Sequence, residues 1–219
     1  MKGKVMAKPT DIRPKSTSVH FIPVQTRVPL KFGGETLTHV TCVRVVLRVE
    51  DAQGRTAVGW GETPLSVQWV WPSQLSYEAR YNALQEFIKG LACLWADFAC
   101  TGHPLEIGHA FIEGPLHMAM DKFNEKRVGE PMPYLAALVC CSAFDIALHD
   151  AYGQLHGIPV YDTYNAEYMN RDLSAFLTPA KGSEVSFSGK YPQDFFAAPV
   201  PNRLPAWHLV GGKDWIDPA

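Results

Sequence analysis

The sequence has no excess of charge of either sign and no long uninterrupted apolar run. Its 219 residues include 20 Lys or Arg and 22 Asp or Glu, a formal net charge of −2. No block of basic residues is present, which excludes the electrostatic footprint typical of nucleic-acid-binding proteins. The most apolar stretch, residues 134–144, is too short to cross a bilayer, and no apolar run follows the early lysines as a secretory signal requires. We therefore expect a cytoplasmic protein with neither nucleic acid nor membrane among its partners.

The sequence also lacks the cysteine and histidine spacing of a disulfide framework or a metal site. Its five cysteines are an odd number without a CxxC pair, which predicts reduced, mostly buried thiols. Adjacent Cys140 and Cys141 would point about 100° apart on a helix, so they are poorly placed to share a metal. Four histidines are not spaced from acidic residues as metal ligands usually are, and we interpret them as structural: His103, His109, His117 and His149. We expect no metal site in this chain.

Two-residue and helical periodicities predict strands first and helices afterwards. Residues 1–17 are expected to be a loose leader. Apolar alternation over residues 43–50, a turn at residues 51–54 and a return strand at residues 56–62 indicate a meander of about three strands. Stripes at three- and four-residue spacing predict helices over residues 77–98, 105–112, 116–124 and 133–156, with Gly114-Pro115 as an interruption. Strands are further expected at residues 173–177 and 207–210.

Two segments carry a more specific signal. The first, residues 58–64, reads VGWGETP at the end of the third predicted strand. The second, residues 143–161, reads AFDIALHDAYGQLHGIPVY and spans the end of the last predicted helix. Together they resemble the N-terminal capping domain of mandelate racemase/muconate lactonizing enzymes in the enolase superfamily. His149 and Gln154 depart from the Trp and Lys that the family often has there, which puts the subgroup in doubt rather than the fold.

The resemblance implies an α+β fold, in which a three-stranded antiparallel meander and a helical bundle lead into the start of a truncated (β/α) barrel. The implied domains are a leader (1–17), a capping domain (18–160) and an incomplete TIM-type barrel (161–219). The family removes a proton α to a carboxylate with the help of Mg²⁺, as dehydratases, racemases and cycloisomerases do. The family's acid–base residues and metal ligands lie on barrel strands, and a barrel needs about 200 residues or more. The family's Lys-x-Lys strand motif is absent, since Lys181, Lys190 and Lys213 stand singly. We expect no catalytic residue in this chain, no activity from it alone, and Mg²⁺ only in a full-length relative.

In the family, two loops of the capping domain close over a small-molecule carboxylate substrate. By resemblance these loops are residues 27–35 and 63–72 here. Lys31 is expected to meet the substrate carboxylate, Gly33 and Gly34 to make the first loop mobile, and Phe32, Leu65 and Trp69 to wall the pocket. A contact by Trp71 is also open, and a homo-oligomer is among the expected partners.

Several alternatives remain at this stage. Glu62 is interpreted as fixing a turn by hydrogen bonds rather than as a catalytic carboxylate, and Asp145 and Asp150 do not share a helix face well. The chain could instead be a free-standing binding module that kept the capping fold without catalysis; residues 165–219 would then fold compactly over the last helix. A hydrolase using Cys140 or Cys141 is disfavoured, because an apolar helix stripe should raise thiol pKa values.

Overall fold

The computed structural model describes residues 7–32 and 35–207 and shows a sheet followed by helices. Three antiparallel strands pair in the order β1-β2-β3: β1 (Ile12–Phe32), β2 (Glu35–Asp51) and β3 (Thr56–Pro64). Five α-helices follow in the described residues: α1 (Val67–Val70), α2 (Tyr77–Ala96), α3 (Pro104–Phe111), α4 (His117–Glu125) and α5 (Tyr134–His156). The predicted α+β meander and helices are thereby confirmed.

The sheet buries one face against the helices. Successive strand side chains point to opposite faces, so every second residue of β2 reaches the core: Val43, Val45, Leu47 and Val49 are all fully buried. Gly54 takes the positive φ of +79° that the turn into β3 requires. β1 begins at Ile12 rather than near Ser18, so part of the predicted leader is strand, and Ile12 itself is buried and bridges to Gly102.

β3 and α5 pack backbone against backbone. A Cβ at Gly59 would lie 2.1 Å from the carbonyl oxygen of Ala147 and 2.2 Å from the amide nitrogen of Ala151. A Cβ at Gly61 would lie 2.0 Å from the carbonyl oxygen of Ala143. Two residues of a strand advance about 6.6 Å, and four residues of a helix advance about 6.0 Å. The spacing of the two glycines on β3 therefore matches the spacing of the alanines on α5, which runs beside β3 in the opposite direction. The two segments that carry the family resemblance are therefore in contact with each other.

The helix boundaries follow local signals, with one exception. The Ser76 hydroxyl caps α2 by accepting the amide hydrogen of Ala79, and Gly157 ends α5 in the left-handed conformation at φ 66°. The interruption predicted at Gly114-Pro115 is present, but it is a π-helical turn rather than a break in the helical path. A π-helical turn over Ile112–Leu116 connects α3 to α4, and this wider turn accommodates a proline, which has no amide hydrogen to donate.

α5 is the central helix of the core. Among the described residues it is the one helix long and apolar enough to cross a membrane, and half of that stretch is buried in the protein. Its buried side chains face the sheet, α2 and α3, as expected for the core helix of a globular fold.

After α5 the described chain forms only short 3₁₀ turns, at Val160–Thr163, Leu173–Ala175 and Pro192–Phe195. The strand predicted at residues 173–177 is wrong. The Asp172 carboxylate accepts the amide hydrogen of Ser174 at 3.0 Å and so starts a turn at Leu173. Nearly all of the strand predicted at residues 207–210 lies outside the described residues.

Glu106 anchors this last segment to the helices. It is buried, and its two carboxylate oxygens accept the amide hydrogens of Asn170 and Arg171 at 2.8 Å and of His103 at 3.1 Å. The side-chain amide of Asn170 also donates to Glu106 and to Asp11, both at 2.8 Å. The polar groups of residues 163–173 therefore replace water around a buried carboxylate.

Candidate functional site

The ends of β1 and β2 form an exposed arm beyond the core. We define the arm as residues 23–31 with residues 36–41. All side chains of residues 23–31 except that of Thr26 are exposed. The pairing shifts along the arm, because Gln25 pairs with His39 whereas Leu30 pairs with Leu37. Residues 26–29 therefore form an irregular stretch of β1 that lengthens this side of the arm.

Lys31 lies near the tip of the arm, where it pairs with Thr36 and is exposed. Phe32 ends β1, but its side chain is outside the described part of the structure, as are Gly33 and Gly34 altogether. The arm thus has an exposed ammonium group close to its tip.

The second predicted loop contains the short helix α1. Trp69 is half-exposed, at 49%, whereas its neighbours Val67, Val70 and Trp71 are buried. The Trp71 indole donates to a carboxylate oxygen of Glu130 at 3.0 Å, and the Arg127 guanidinium lies 4.9 Å from its ring centre. Trp71 is therefore a core residue, and Trp69 is the tryptophan of this segment that is available to a ligand.

The predicted set of pocket-lining residues is wrong at Leu65. Its side chain is fully buried and its amide hydrogen bonds the Thr41 carbonyl at 2.8 Å, so it faces the core and cannot wall a surface pocket. The physical reason is that the chain stays paired with β2 for one residue beyond β3, and Leu65 then falls on the buried face.

The arm and the α1 segment meet at one end of the sheet. A cavity of about 310 Å³ is lined by arm residues of β2, by Gln68 of α1 and by Tyr77 of α2. The β2 residues are Thr36, Leu37, Thr38 and His39. Neither Gln68 nor Tyr77 was predicted to lie at a site, because their place beside the arm depends on tertiary packing. Nearby, the hydroxyls of Thr41 and Tyr81 are hydrogen-bonded at 2.9 Å and tie β2 to α2.

The acidic side chains on the motif segments have structural partners. The Asp150 carboxylate accepts the amide hydrogen of Trp60 at 2.8 Å, which links α5 to β3. Glu62 pairs with Arg44 across the sheet, in agreement with its structural interpretation. Asp145 and His149 are 3.6 Å apart beside a groove of about 670 Å³ between α3, α5 and residues 160–176. Burial raises the pKa of Asp145, and the nearby His149 opposes that effect.

Neither a metal nor a thiolate site is formed by the described residues. In residues 7–32 and 35–207, no three His, Cys, Asp or Glu side chains converge on a position that could hold a metal ion. These residues do not fit the Mg²⁺ site of the family, and we assign no step to a metal here. The five cysteines are free, and burial raises the pKa of Cys141 to about 12 and that of Cys140 further. A nucleophilic role for Cys140 or Cys141 is therefore not supported.

Comparison with solved structures gives matches in the enolase superfamily. The dipeptide epimerase of Enterococcus faecalis, crystallised with Mg and L-Leu-L-Tyr, is 18% identical, with 70% of this chain and 35% of that chain covered and a TM-score of 0.42. The L-talarate/galactarate dehydratase of Salmonella typhimurium is 16% identical, with 70% and 33% covered and a TM-score of 0.40. A mandelate racemase/muconate lactonizing protein of Herpetosiphon aurantiacus is 14% identical, with 73% and 36% covered and a TM-score of 0.35.

The likeness is one of fold. The Herpetosiphon aurantiacus protein is of the type that residues 58–64 and 143–161 resemble. The chain spans about a third of the length of the solved structures that it matches. No protein-family model and no curated protein matches the chain.

Proposed function

We propose that this chain is the substrate-capping portion of a cytoplasmic enzyme of the mandelate racemase/muconate lactonizing type. One observation carries the proposal: the arm with Lys31 and the α1 segment with Trp69 lie at the same end of the sheet, beside one cavity. In this proposal the acid–base groups and the Mg²⁺ ligands lie on a barrel that is not among the described residues.

The proposed substrate is a small carboxylate, and the two exposed side chains have distinct roles toward it. The Lys31 ammonium pairs with the substrate carboxylate, and the Trp69 ring covers its apolar part. Closure of the arm excludes water from the reacting centre. The similar structures include a dipeptide complex, a mandelic acid complex and a sugar-acid dehydratase, all with carboxylate ligands or substrates, which supports this substrate class. Five free thiols are in keeping with a reducing compartment.

The test is exchange of the substrate α-proton with D₂O, followed by proton NMR in the presence of Mg²⁺. It compares the 219-residue chain with the product of the natural gene, using dipeptides, mandelate and galactarate. We expect no exchange from the chain alone and exchange from a longer gene product. Exchange catalysed by the chain alone, or a natural product that consists of this chain and is inactive, would overturn the proposal.

Variants of the active product then test the capping residues. Trp69→Ala and Lys31→Ala should each raise KM by about tenfold, the loss of roughly 1.4 kcal/mol of binding, without changing the affinity for Mg²⁺. Trp60→Ala is the matched control, because Trp60 is equally exposed, at 53%, but lies on β3, where it projects away from α5. Equal effects of Trp60→Ala and Trp69→Ala on KM would remove Trp69 from the proposed site.

A free-standing binding module is the second candidate, and one observation favours it. Thr163, Met169 and Leu173 are buried, and Asn170 is hydrogen-bonded to Glu106, so part of the segment after α5 packs on the helices. This candidate predicts that the chain alone binds the same carboxylates with measurable heat in calorimetry. The capping proposal predicts no such binding, since the cap forms only one wall of the pocket.

A further inference from the structure

α2 and α4 form an apolar groove on a face of the protein that is separate from the proposed capping surface. The groove has a volume of about 550 Å³. Its apolar lining comes from both helices and includes Phe87, Leu91, Leu94, Met118, Ala119 and Phe123. The Phe87 and Phe123 rings meet edge to face at 5.3 Å and join the helices at its floor.

The groove is poorly covered by the rest of the chain. α4 has no buried residue, Met118 is 66% exposed and Leu94 is 40% exposed. Gly90 of α2 also lines the groove, and a Cβ added there would meet no atom within 4 Å. Apolar side chains exposed side by side on two helices are typical of an interaction surface.

The charges along the groove are separated by helix. Glu86 and Asp97 lie on the α2 side, and Lys122 and Lys126 lie on the α4 side. All four side chains are exposed. No ion pair within 4 Å involves any of them in the described part of the chain.

We propose that this face binds a second copy of the chain. A two-fold axis parallel to the groove places α2 of one copy against α4 of the other, so acidic groups face basic groups on both sides of the axis. An axis perpendicular to the groove would instead place α2 against α2, with like charges opposed. A groove whose two sides are lined by opposite charges is therefore self-complementary in one arrangement, as a two-fold interface requires.

Gly90 gives the first test, because substitutions there fill the groove without a clash inside the chain. We expect sedimentation velocity to show dimers of the full chain in a concentration series. Gly90→Lys should raise the dimer dissociation constant at least about tenfold, since it places a long charged side chain in the apolar groove. Gly90→Ala is the matched control and should leave the dimer in place. Circular dichroism verifies that both variants are folded.

Charge exchange gives a second test, which separates a second copy from another partner. The double variants Lys122→Glu/Lys126→Glu and Glu86→Lys/Asp97→Lys should each fail to self-associate, because the charges that line the two sides of the groove then have the same sign. Mixed together, the two variants should form a heterodimer. A monomeric wild-type chain at every concentration, or a dimer unaffected by Gly90→Lys and by both double variants, would overturn the proposal. An unrelated protein or a small molecule as the true occupant would appear as a wild-type monomer in this test.

Discussion

Gly61 of β3 lies so close to Ala143 of α5 that a Cβ on the glycine would be 2.0 Å from the alanine carbonyl oxygen. The contact joins the two sequence segments that carry the family resemblance. It also explains why the strand has glycine where the helix has alanine, since larger side chains on either element would separate the two backbones.

Gly61→Ala should destabilise the fold through this contact. The added methyl group meets backbone atoms, which cannot rotate away, so we expect a loss of about 2–3 kcal/mol in the free energy of unfolding. Urea denaturation followed by circular dichroism measures the loss. Gly90→Ala is the control: its methyl group meets nothing, and replacing a helix-interior glycine should stabilise the chain by about 0.5–1 kcal/mol. Equal stabilities of the two variants would contradict the packing described for β3 and α5.

Asp150 links the same two elements by a hydrogen bond to the Trp60 amide. Asp150→Ala removes the acceptor, and we expect a cost of about 1–3 kcal/mol. Asp150→Asn keeps an acceptor oxygen and should cost less. Hydrogen exchange of the Trp60 amide, measured by NMR, provides a local readout. The amide should exchange faster in Asp150→Ala than in Asp150→Asn, and unchanged exchange in both would show that the bond is not formed in solution.

Glu106 should control the attachment of residues 163–173. Glu106→Ala leaves the amides of His103, Asn170 and Arg171 without their acceptor, which should cost about 3 kcal/mol or more. Limited trypsin digestion should then cleave after Arg171 faster than in the wild type. The exposed Glu125 at the end of α4 supplies the control variant, Glu125→Ala, and a cleavage rate at Arg171 that is the same in both variants would argue against this anchoring role.

His103 should make stability depend on pH. Burial lowers the pKa of His103 to about 3, and the positive charges of His149 and His156 add to the effect. The unfolded chain binds this proton below about pH 6.5 while the folded chain does not, so stability falls as the pH decreases from about 6.5 toward 3. His103 alone contributes a slope of at most about 1.4 kcal/mol per pH unit in that window.

His103→Asn keeps a side-chain acceptor for the N-terminus of α3 but cannot titrate. Urea titrations between about pH 4 and about pH 7 span most of the interval between the folded and unfolded pKa values of His103. They should show a flatter dependence of the free energy of unfolding on pH for this variant. Burial raises the pKa of Asp11, which acts in the opposite sense near pH 4, but Asp11 is common to both proteins and cancels in the comparison. The exposed His117 provides the control variant His117→Asn. A slope identical in all three proteins would show that His103 is not buried in its neutral form.

Features set by neighbouring residues along the chain could be predicted from the sequence. The alternation in β2, the positive-φ turn at Gly54 and the end of α5 at Gly157 depend on local rules and agree with the structure. Leu65 and Trp71 could not be placed, because continued pairing of Leu65 with β2 and packing of Trp71 beside α1 depend on tertiary contacts. At Pro115 the sequence predicts an interruption between two helices, but the π-helical form of that interruption has no signal in the sequence.

The candidate site was predictable only in part. Lys31 and Trp69 are exposed, but the cavity beside the arm is lined by Gln68 and Tyr77, and neither residue was predicted to be part of a site. The shift in pairing between Gln25 and Leu30 was not predicted either, because such a shift depends on the partner strand rather than on either strand alone.

The alternation along β3 also restricts which changes in length the gene can tolerate. Inserting or deleting one codon between Thr56 and Gly59 would move Trp60 to the side of the strand that faces α5, and its indole would then meet the helix main chain. A two-codon change keeps the glycines facing the helix. Within this strand, natural variants should therefore differ in length by even numbers of residues, while the connections at its two ends are free of that parity.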